Sequence, residues 1–258
     1  MEPNMLMRFA SVSKLITAVG IMKLQEMKKL KLNEKVFGEK GILNDTTYNN
    51  GIKDQRYYDI TVEQLLRHQA GFNNYAGDPV SSTRYIMMQN RLTTPPDHKT
   101  LLRILMKRHL GYTPGQGKCY SNLGYMILSM VIEKKSGMKY ENFMQKYVLQ
   151  PAGCYDMHIA GTYLKDRRPN ETKYYMHQGS IPVYEYNNSG RLVEKCYGDT
   201  DLPRLSGAGA WCGSTAELSR FIASIDGLPH VKDILSKKSI QFMTTEQPDH
   251  QYSIGWNY

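Results

Sequence analysis

The chain has 258 residues, 41% of them hydrophobic and 22% charged, with a net charge of +9. A chain of this length forms one large domain or two modest ones and buries about 70 to 75% of its unfolded surface. No apolar run approaches the roughly 18 residues of a membrane span, so we expect a soluble, folded protein. The densest basic stretches, 28–31 and 107–109, lie at predicted helix ends, where cations are favoured, and no nucleic-acid partner is predicted.

The cysteines and the amino terminus carry no strong metal or targeting pattern. Cys119, Cys154, Cys196 and Cys212 form no C-x-x-C pair, so neither a metal nor another cofactor is predicted, while one disulfide stays possible. The first residues include an early acid and a proline and lack the basic cap of a secretory signal. The localisation of the chain is left open.

The first predicted helix covers residues 11–29 and begins with an S-x-x-K pattern. Residues 11–14 read Ser-Val-Ser-Lys, and residues three apart share a helix face, so the Ser11 hydroxyl and the Lys14 amine are expected within reach. A lysine can accept a serine proton where burial or nearby cations lower its pKa. The pattern alone also fits a capped, solvated helix, and Ser13 with Lys14 is an alternative pair.

Two further helices are predicted before the next polar motif. Thr61 is the expected N-cap of a short helix that ends at Gly71, and His68 near its end is interpreted as a structural or capping residue rather than a base. A helix over residues 98–110 is expected to supply a core face, because its apolar residues recur at helical spacing.

A glycine- and proline-containing turn over residues 111–117 is predicted to deliver Tyr120 and Asn122 to the start of a helix over 126–135. A phenol can pass a proton, and a carboxamide can bind a substrate amide or a lysine head. Farther on, residues 160–204 are predicted to form an extended insertion with a hairpin turn at Asn187-Asn188-Ser189-Gly190.

Taken together, the motifs resemble those of the serine β-lactamase and penicillin-binding protein superfamily. The resemblance rests on Ser-Val-Ser-Lys followed by Pro-Gly-x-x-x-x-Tyr-Ser-Asn-x-Gly-Tyr, and it is strongest to the branch of class C β-lactamases, DD-peptidases and esterases. Flanking segments agree in the same order: 60–71, 151–153, a glycine-rich segment over 206–218 predicted as a strand leading to a helix, and a predicted strand over 252–256.

The resemblance implies an α/β (α+β) fold of the β-lactamase-like type, with an antiparallel sheet flanked by helices and a mostly helical region. It assigns residues 1–30 and 206–258 to the sheet domain and residues 31–205 to the helical region. Sheet strands are expected to be missing at both termini, because only ten residues precede Ser11 and the chain ends soon after the last predicted strand.

The resemblance also implies an acyl-enzyme mechanism on an amide, ester or β-lactam, with a small-molecule or peptidoglycan-like substrate. Ser11 would be the nucleophile, and its backbone N–H at a helix start would supply one oxyanion donor. Lys14 and Tyr120 would share the proton transfer, either of them as principal base. Asn122 would orient the substrate amide and brace Lys14.

One family motif is missing from its expected place. The family carries Lys-Thr-Gly or His-x-Gly on a strand after 252–256, whereas this chain ends at Tyr258. Lys135-Ser136-Gly137 is instead predicted as a helix C-cap, and His177-Gln178-Gly179 comes too early in the chain.

We therefore expect the chain to be the middle of a longer hydrolase, whose full-length relatives are periplasmic or extracytoplasmic. Incomplete sheet edges would favour self-association. The alternative is a catalytically incompetent fragment or pseudoenzyme that folds and binds ligand without turnover.

Overall fold

The computed structural model describes residues 2–75, 77–245 and 254–255. Its α-helices are α1 (Ser13–Glu26), α2 (Thr46–Asn49), α3 (Val62–Leu66), α4 (Thr83–Gln89), α5 (His98–Leu105), α6 (Asn122–Ser136), α7 (Tyr140–Met144), α8 (Leu202–Gly209), α9 (Thr215–Ala223) and α10 (Lys237–Thr244). Its strands are β1 (Leu6–Arg8), β2 (His158–Ile159), β3 (Val183–Tyr184), β4 (Leu192–Val193) and β5 (Trp211–Ser214). Most of the strand predicted over 252–256 lies outside the described residues.

A small antiparallel sheet lies beside the helices, with strand order β1-β5-β2. Its register pairs Met7 with Gly213 and His158 with Cys212. The central strand β5 is buried along its whole length. Helices together with this antiparallel sheet confirm the predicted fold class, although the sequence analysis did not identify β1.

The hairpin predicted in the 160–204 insertion is also present. Strands β3 and β4 pair antiparallel, and the loop between them holds Asn188 and Gly190 at positive φ, 59° and 81°. Asn and Gly tolerate this left-handed backbone better than other residues, which explains why they occur in the turn.

Helix α1 runs through the core. Its residues from Ser13 to Met22 are all buried, and it packs against α6, α7 and α8. A helix that is buried all round, rather than along one stripe, is typical of a core position. The predicted span of 11–29 is too long at both ends, because residues 10–12 form a tighter 3-10 turn and Lys28 adopts positive φ, 58°.

Helix α6 begins four residues earlier than predicted. The hydroxyl of Ser121 caps it by accepting the Gly124 N–H at 3.1 Å, so Asn122 becomes its first residue. At the other end Gly137 takes the left-handed conformation, φ 73°, which confirms that Lys135-Ser136-Gly137 is a helix C-cap.

The shorter helices α3 and α5 end before their predicted limits. Thr61 caps α3 as predicted, and its side chain and that of Gln64 form a reciprocal capping box. Helix α3 ends at Leu66 rather than near Gly71, because the chain turns through His68 at φ 57°. Helix α5 likewise ends at Leu105 rather than at residue 110.

The segment predicted as a glycine-rich strand over 206–218 is helical at its start. Residues 206–209 complete α8, which kinks at Ser206, and the strand begins only at Trp211 before leading into α9. Gly207 allows α8 to approach α1, where the Thr17 hydroxyl donates to the Gly207 carbonyl at 2.7 Å. The division into a sheet domain and a helical region stays a prediction.

Within the ranges given above, none of the helices combines the length and the apolar character needed to cross a bilayer.

Replacing Gly207 with alanine tests the close packing of α8. An added Cβ would lie 2.8 Å from the Tyr125 carbonyl oxygen and 3.0 Å from Thr17 Oγ1, so α8 must shift. We expect Gly207→Ala to lower the free energy of unfolding by about 1 to 3 kcal/mol in urea denaturation. Gly124→Ala is the matched control in a helix, since its Cβ would have no neighbour closer than 3.6 Å. Equal stability of the two variants would contradict the packing argument.

Candidate active site

Ser11 lies on the surface at the junction between the sheet and the core helix. The 3-10 turn Ala10–Val12 joins β1 to α1, and the Phe9 N–H anchors it by donating to the Trp211 carbonyl at 2.8 Å. The Ser11 side chain is exposed, whereas Ser13 is fully buried and its Oγ accepts the Trp211 N–H at 3.1 Å. The alternative pair of Ser13 with Lys14 therefore lacks an accessible hydroxyl.

The Lys14 amine is buried behind Ser11, with only 4% of the residue exposed. Its Nζ lies 2.6 Å from Asn122 Oδ1, 2.6 Å from the Ala208 carbonyl oxygen and 3.2 Å from Ser11 Oγ. Burial lowers the pKa of Lys14 from 10.5 to about 7, and the negative charge of Asp78 opposes part of that shift. Near neutral pH the amine therefore exists in both protonation states.

The geometry around Lys14 suits the neutral amine. A neutral lysine has two N–H bonds and one lone pair, and the two shortest contacts, to Asn122 and Ala208, use the two N–H bonds. In the neutral amine the lone pair is then left for the third neighbour, Ser11 Oγ, to which the protonated amine donates its third N–H. In the neutral state Lys14 can accept the serine proton.

Tyr120 contacts both Ser11 and Lys14. Its hydroxyl forms a short hydrogen bond with Ser11 Oγ, and its ring centroid lies 4.6 Å from Lys14 Nζ. The side-chain amide of Asn74 donates to the Tyr120 carbonyl at 2.7 Å, so the loop after α3 holds this residue in place. The fold thus brings together Ser11, Lys14, Tyr120 and Asn122, the four residues selected from the sequence.

His68 supports the turn that carries Tyr120. Its Nδ1 accepts the Ser121 N–H at 3.1 Å, and its ring lies 4.7 Å from the Tyr120 ring and 5.1 Å from the Tyr125 ring, centroid to centroid. Burial, and next the positive charges of Lys14 and Lys118, lower the pKa of His68 to about 3. A neutral imidazole that accepts a backbone N–H agrees with the structural role predicted for His68.

Two groups at the site have no signal in the sequence. The Asp78 carboxylate accepts the Asn122 side-chain N–H at 2.7 Å, and it comes from a loop without periodic pattern. The Ala208 carbonyl is a backbone atom almost two hundred residues away from Lys14 along the chain, and no side chain marks it. Only the packing of α8 on α1 brings that carbonyl to the amine.

One cluster of three buried side chains outside this site has the residue types of a metal site. Among the described residues, His158, Glu171 and Cys212 place one potential ligand atom each within 4.8 Å of the others. The Glu171 carboxylate already faces Arg8 Nε at 3.8 Å and accepts the Tyr174 hydroxyl at 3.1 Å. The Arg8 guanidinium beside Glu171 disfavours a divalent cation in this cluster, because the two positive charges would repel each other.

The remaining sequence features lie outside the site. His177-Gln178-Gly179 forms an exposed turn rather than part of a strand. All four cysteines are within the described residues, and none of them forms a disulfide.

Comparisons with known proteins place these features in a wider context. The family model described as Beta-lactamase matches residues 1–258. Penicillin-binding protein 4* of Bacillus subtilis (strain 168) is 26% identical over 270 residues, which cover 99% of this chain and 53% of that protein. Protein flp of Staphylococcus aureus (strain MRSA252) is 28% identical over 186 residues, 70% of this chain and 33% of that protein. The chain thus spans about a third to a half of the length of these curated relatives.

Solved structures share the fold at lower sequence identity. A D-stereospecific amidohydrolase from Streptomyces sp. superimposes with a TM-score of 0.66 at 23% identity, covering 98% of this chain and 70% of that one. The D-amino acid amidase from Ochrobactrum anthropi SV3, complexed with L-phenylalanine amide, gives a TM-score of 0.67 at 20% identity, covering 95% and 61%.

The buried, neutral state of His68 leads to a prediction for stability against pH. The pKa of His68 lies near 3 in the folded protein, against an ordinary value of 6.5, so the unfolded chain takes up the proton first as the pH falls. Stability is therefore lost progressively below about pH 6.5. We expect His68→Gln, which cannot be protonated, to lose less unfolding free energy between pH 7 and pH 5 than the wild type.

Urea denaturation at both pH values measures the effect, with His177→Gln on the exposed turn as the matched control. The control should keep the wild-type pH dependence. If both variants lose the same free energy between pH 7 and pH 5, His68 is not buried in the neutral form.

Proposed function

The chain belongs to the beta-lactamase family, and we propose that it is a serine hydrolase that cleaves an amide or a β-lactam through an acyl-enzyme on Ser11. In this proposal Lys14 is the proton acceptor, Tyr120 relays a proton, and Asn122 binds both Lys14 and the substrate. The family match supports the reaction class, and the contacts of the site support the individual roles.

The main support for the proposal is the set of hydrogen-bond partners around the Lys14 amine. Asn122 and Ala208 each accept one of its N–H bonds at 2.6 Å, so once the amine is neutral its lone pair is left for Ser11 Oγ, 3.2 Å away. Here both of the closest partners are neutral oxygens, which favours an amine that loses its proton near neutral pH.

The reaction follows from these contacts. Ser11 Oγ forms a bond to the substrate carbonyl carbon while its proton passes to Lys14 Nζ. The bond to the leaving nitrogen then breaks as the Tyr120 hydroxyl, which lies against Ser11 Oγ, gives that nitrogen a proton and regains one from Lys14. Water subsequently hydrolyses the ester on Ser11 and restores the starting state.

Two further groups complete the proposed roles. The Ser11 backbone N–H lies in the first turn leading into α1, where amide groups lack helical partners, and it can stabilise the developing oxyanion. Asn122 gives one side-chain N–H to Asp78 and has a second N–H that can donate to a carbonyl of the substrate.

For the substrate class, we propose small amides and β-lactams as the first compounds to test. One relative is named as a penicillin-binding protein, and two proteins of the same fold are named as a D-stereospecific amidohydrolase and a D-amino acid amidase. A panel of D- and L-phenylalanine amide together with a penicillin therefore spans the proposed chemistry.

Covalent labelling tests the nucleophile. We expect a fluorophosphonate probe or a fluorescent penicillin to label the folded wild type and to leave Ser11→Ala unlabelled, because the acyl bond forms on Ser11 Oγ. Ser13→Ala is the matched control and should be labelled, since that hydroxyl is buried and faces Trp211. Mass spectrometry of the labelled peptide identifies the site.

The same experiment separates the proposal from its alternative. If neither probe labels a chain that circular dichroism shows to be folded, the protein is a catalytically incompetent member of the family. Labelling that persists in Ser11→Ala would reject Ser11 as the nucleophile.

The pKa of Lys14 predicts the pH dependence of acylation. Only neutral Lys14 accepts a proton, and its pKa lies near 7, so the acylation rate should rise through about pH 7 and level off above it. Lys14→Arg stays protonated throughout this range, and we expect it to lose at least about 100-fold in rate together with this rise. Stopped-flow acylation between pH 5 and pH 9 measures both; a flat wild-type profile would contradict the assignment of Lys14 as base.

A further inference from the structure

Asp78 uses both oxygens of its carboxylate at the edge of the site. Oδ2 accepts the Asn122 side-chain N–H at 2.7 Å. Oδ1 accepts the backbone N–H of Val80 at 2.9 Å and that of Ser81 at 3.4 Å, so the chain folds around it in a tight turn. The backbone of its own loop therefore fixes the carboxylate independently of the contact with Asn122.

We propose that Asp78 is a positioning residue of this site, whose carboxylate holds the Asn122 side-chain amide in the one orientation that turns its oxygen toward Lys14. The inference rests on the proposed function, and it extends that function to a residue outside the two sequence motifs. Asp78 acts through Asn122 rather than on the substrate.

The argument starts from the near symmetry of a carboxamide. Turning the Asn122 amide over would exchange its oxygen and nitrogen with little change in shape, and would place N–H groups against the Lys14 N–H bonds. A carboxylate only accepts hydrogen bonds, so it forbids the turned-over amide. Lys14 thus donates to Asn122 at 2.6 Å, and Asn122 donates to Asp78 at 2.7 Å, so the two hydrogen bonds run in one direction from Lys14 to Asp78.

The charge of Asp78 has a second effect on Lys14. The titratable side chains that face the amine are Tyr120, Tyr125, His68 and Asp78. Burial raises the pKa of Tyr125 well above its ordinary value and lowers that of His68 to about 3, so neither side chain brings a charge near neutral pH. Asp78 is the negative group in this set, and it raises the pKa of Lys14 against the effect of burial.

The substitution Asp78→Asn removes the charge and keeps the size. An asparagine has a single acceptor oxygen, which the turn to Val80 requires, so its NH2 group would face Asn122. Asn122 should then turn over and lose its contact with Lys14. Asp226→Asn is the matched control, because Asp226 also accepts an N–H two residues on, from Leu228 at 2.8 Å, in an exposed turn outside the site.

The first measurement is the acylation rate at about pH 9, where Lys14 is neutral in both proteins. We expect Asp78→Asn to be slower by roughly 10-fold or more, the loss typical of one hydrogen bond to a charged group, and Asp226→Asn to match the wild type. In an Asn122→Ala background the same substitution should change the rate by less than about 2-fold, since the residue it acts through is gone. An equal loss in both backgrounds would overturn the inference.

The second measurement follows Lys14 without any turnover. Trace acetylation with acetic anhydride across a pH series, read by peptide mass spectrometry, reports the pH at which Lys14 becomes half reactive. We expect this midpoint to move to lower pH in Asp78→Asn and to stay unchanged in Asp226→Asn, because the charge that favours protonated Lys14 is removed. A midpoint that does not move would overturn the proposed coupling of Asp78 to the amine.

The two measurements separate this inference from the proposed function. A wild type that is never acylated defeats the proposed function, and the acetylation midpoint still tests Asp78. A wild type that is acylated through Ser11, with a midpoint and a rate unaffected by Asp78→Asn, defeats the inference alone.

Discussion

A lysine amine buried in a protein core needs hydrogen-bond acceptors from other parts of the chain. In this structure three helices that pack together meet that need. Lys14 lies on α1, its acceptors lie on α6 and α8, and the three helices pack on one another around the amine. An unsatisfied buried amine costs several kcal/mol (about 2 to 7 for a polar group), so these helices are held to one arrangement.

The local structures around the amine can be understood from the same requirement. The Ser121 cap starts α6 early enough for Asn122 to face Lys14, and His68 holds the turn before it through the Ser121 N–H. On the other side, Gly207 permits the close approach of α8 that brings the Ala208 carbonyl to the amine. The Ser121 cap, the buried His68 imidazole and Gly207 thus all help to position the acceptors around Lys14 Nζ.

The choice of neutral acceptors connects the fold to the proposed chemistry. A carboxylate in direct contact with Lys14 would have kept the amine protonated, whereas the Asp78 carboxylate reaches it through the Asn122 amide. Burial therefore outweighs the charge of Asp78 and leaves the pKa of Lys14 near 7 rather than near its ordinary value. The amine can then exchange a proton with Ser11 at neutral pH, as acylation by a serine requires.

Sequence reasoning by itself selected the side chains that are proposed to carry the chemistry. The spacing of Ser11 and Lys14 follows from helix geometry, and the glycine-containing turn before a helix indicated where Tyr120 and Asn122 would lie, because both signals are local. Helix limits were predicted less accurately. Helices α1, α3 and α5 all end early, and after α1 and α3 the chain takes positive φ at Lys28 and at His68, which depends on surroundings that the local pattern does not contain.

Only the tertiary structure decided which distant groups meet the amine. The Ala208 carbonyl has no side-chain signature, and Asp78 lies in a loop without a repeating pattern, so neither could be selected from the sequence. The glycine-rich segment was predicted as a strand, yet its first residues are helical because close packing against Thr17 and Tyr125 outweighs local preference. The proposed nucleophile and base can thus be recognised from local spacing, whereas the protonation state of the proposed base depends on long-range packing, which no short segment encodes.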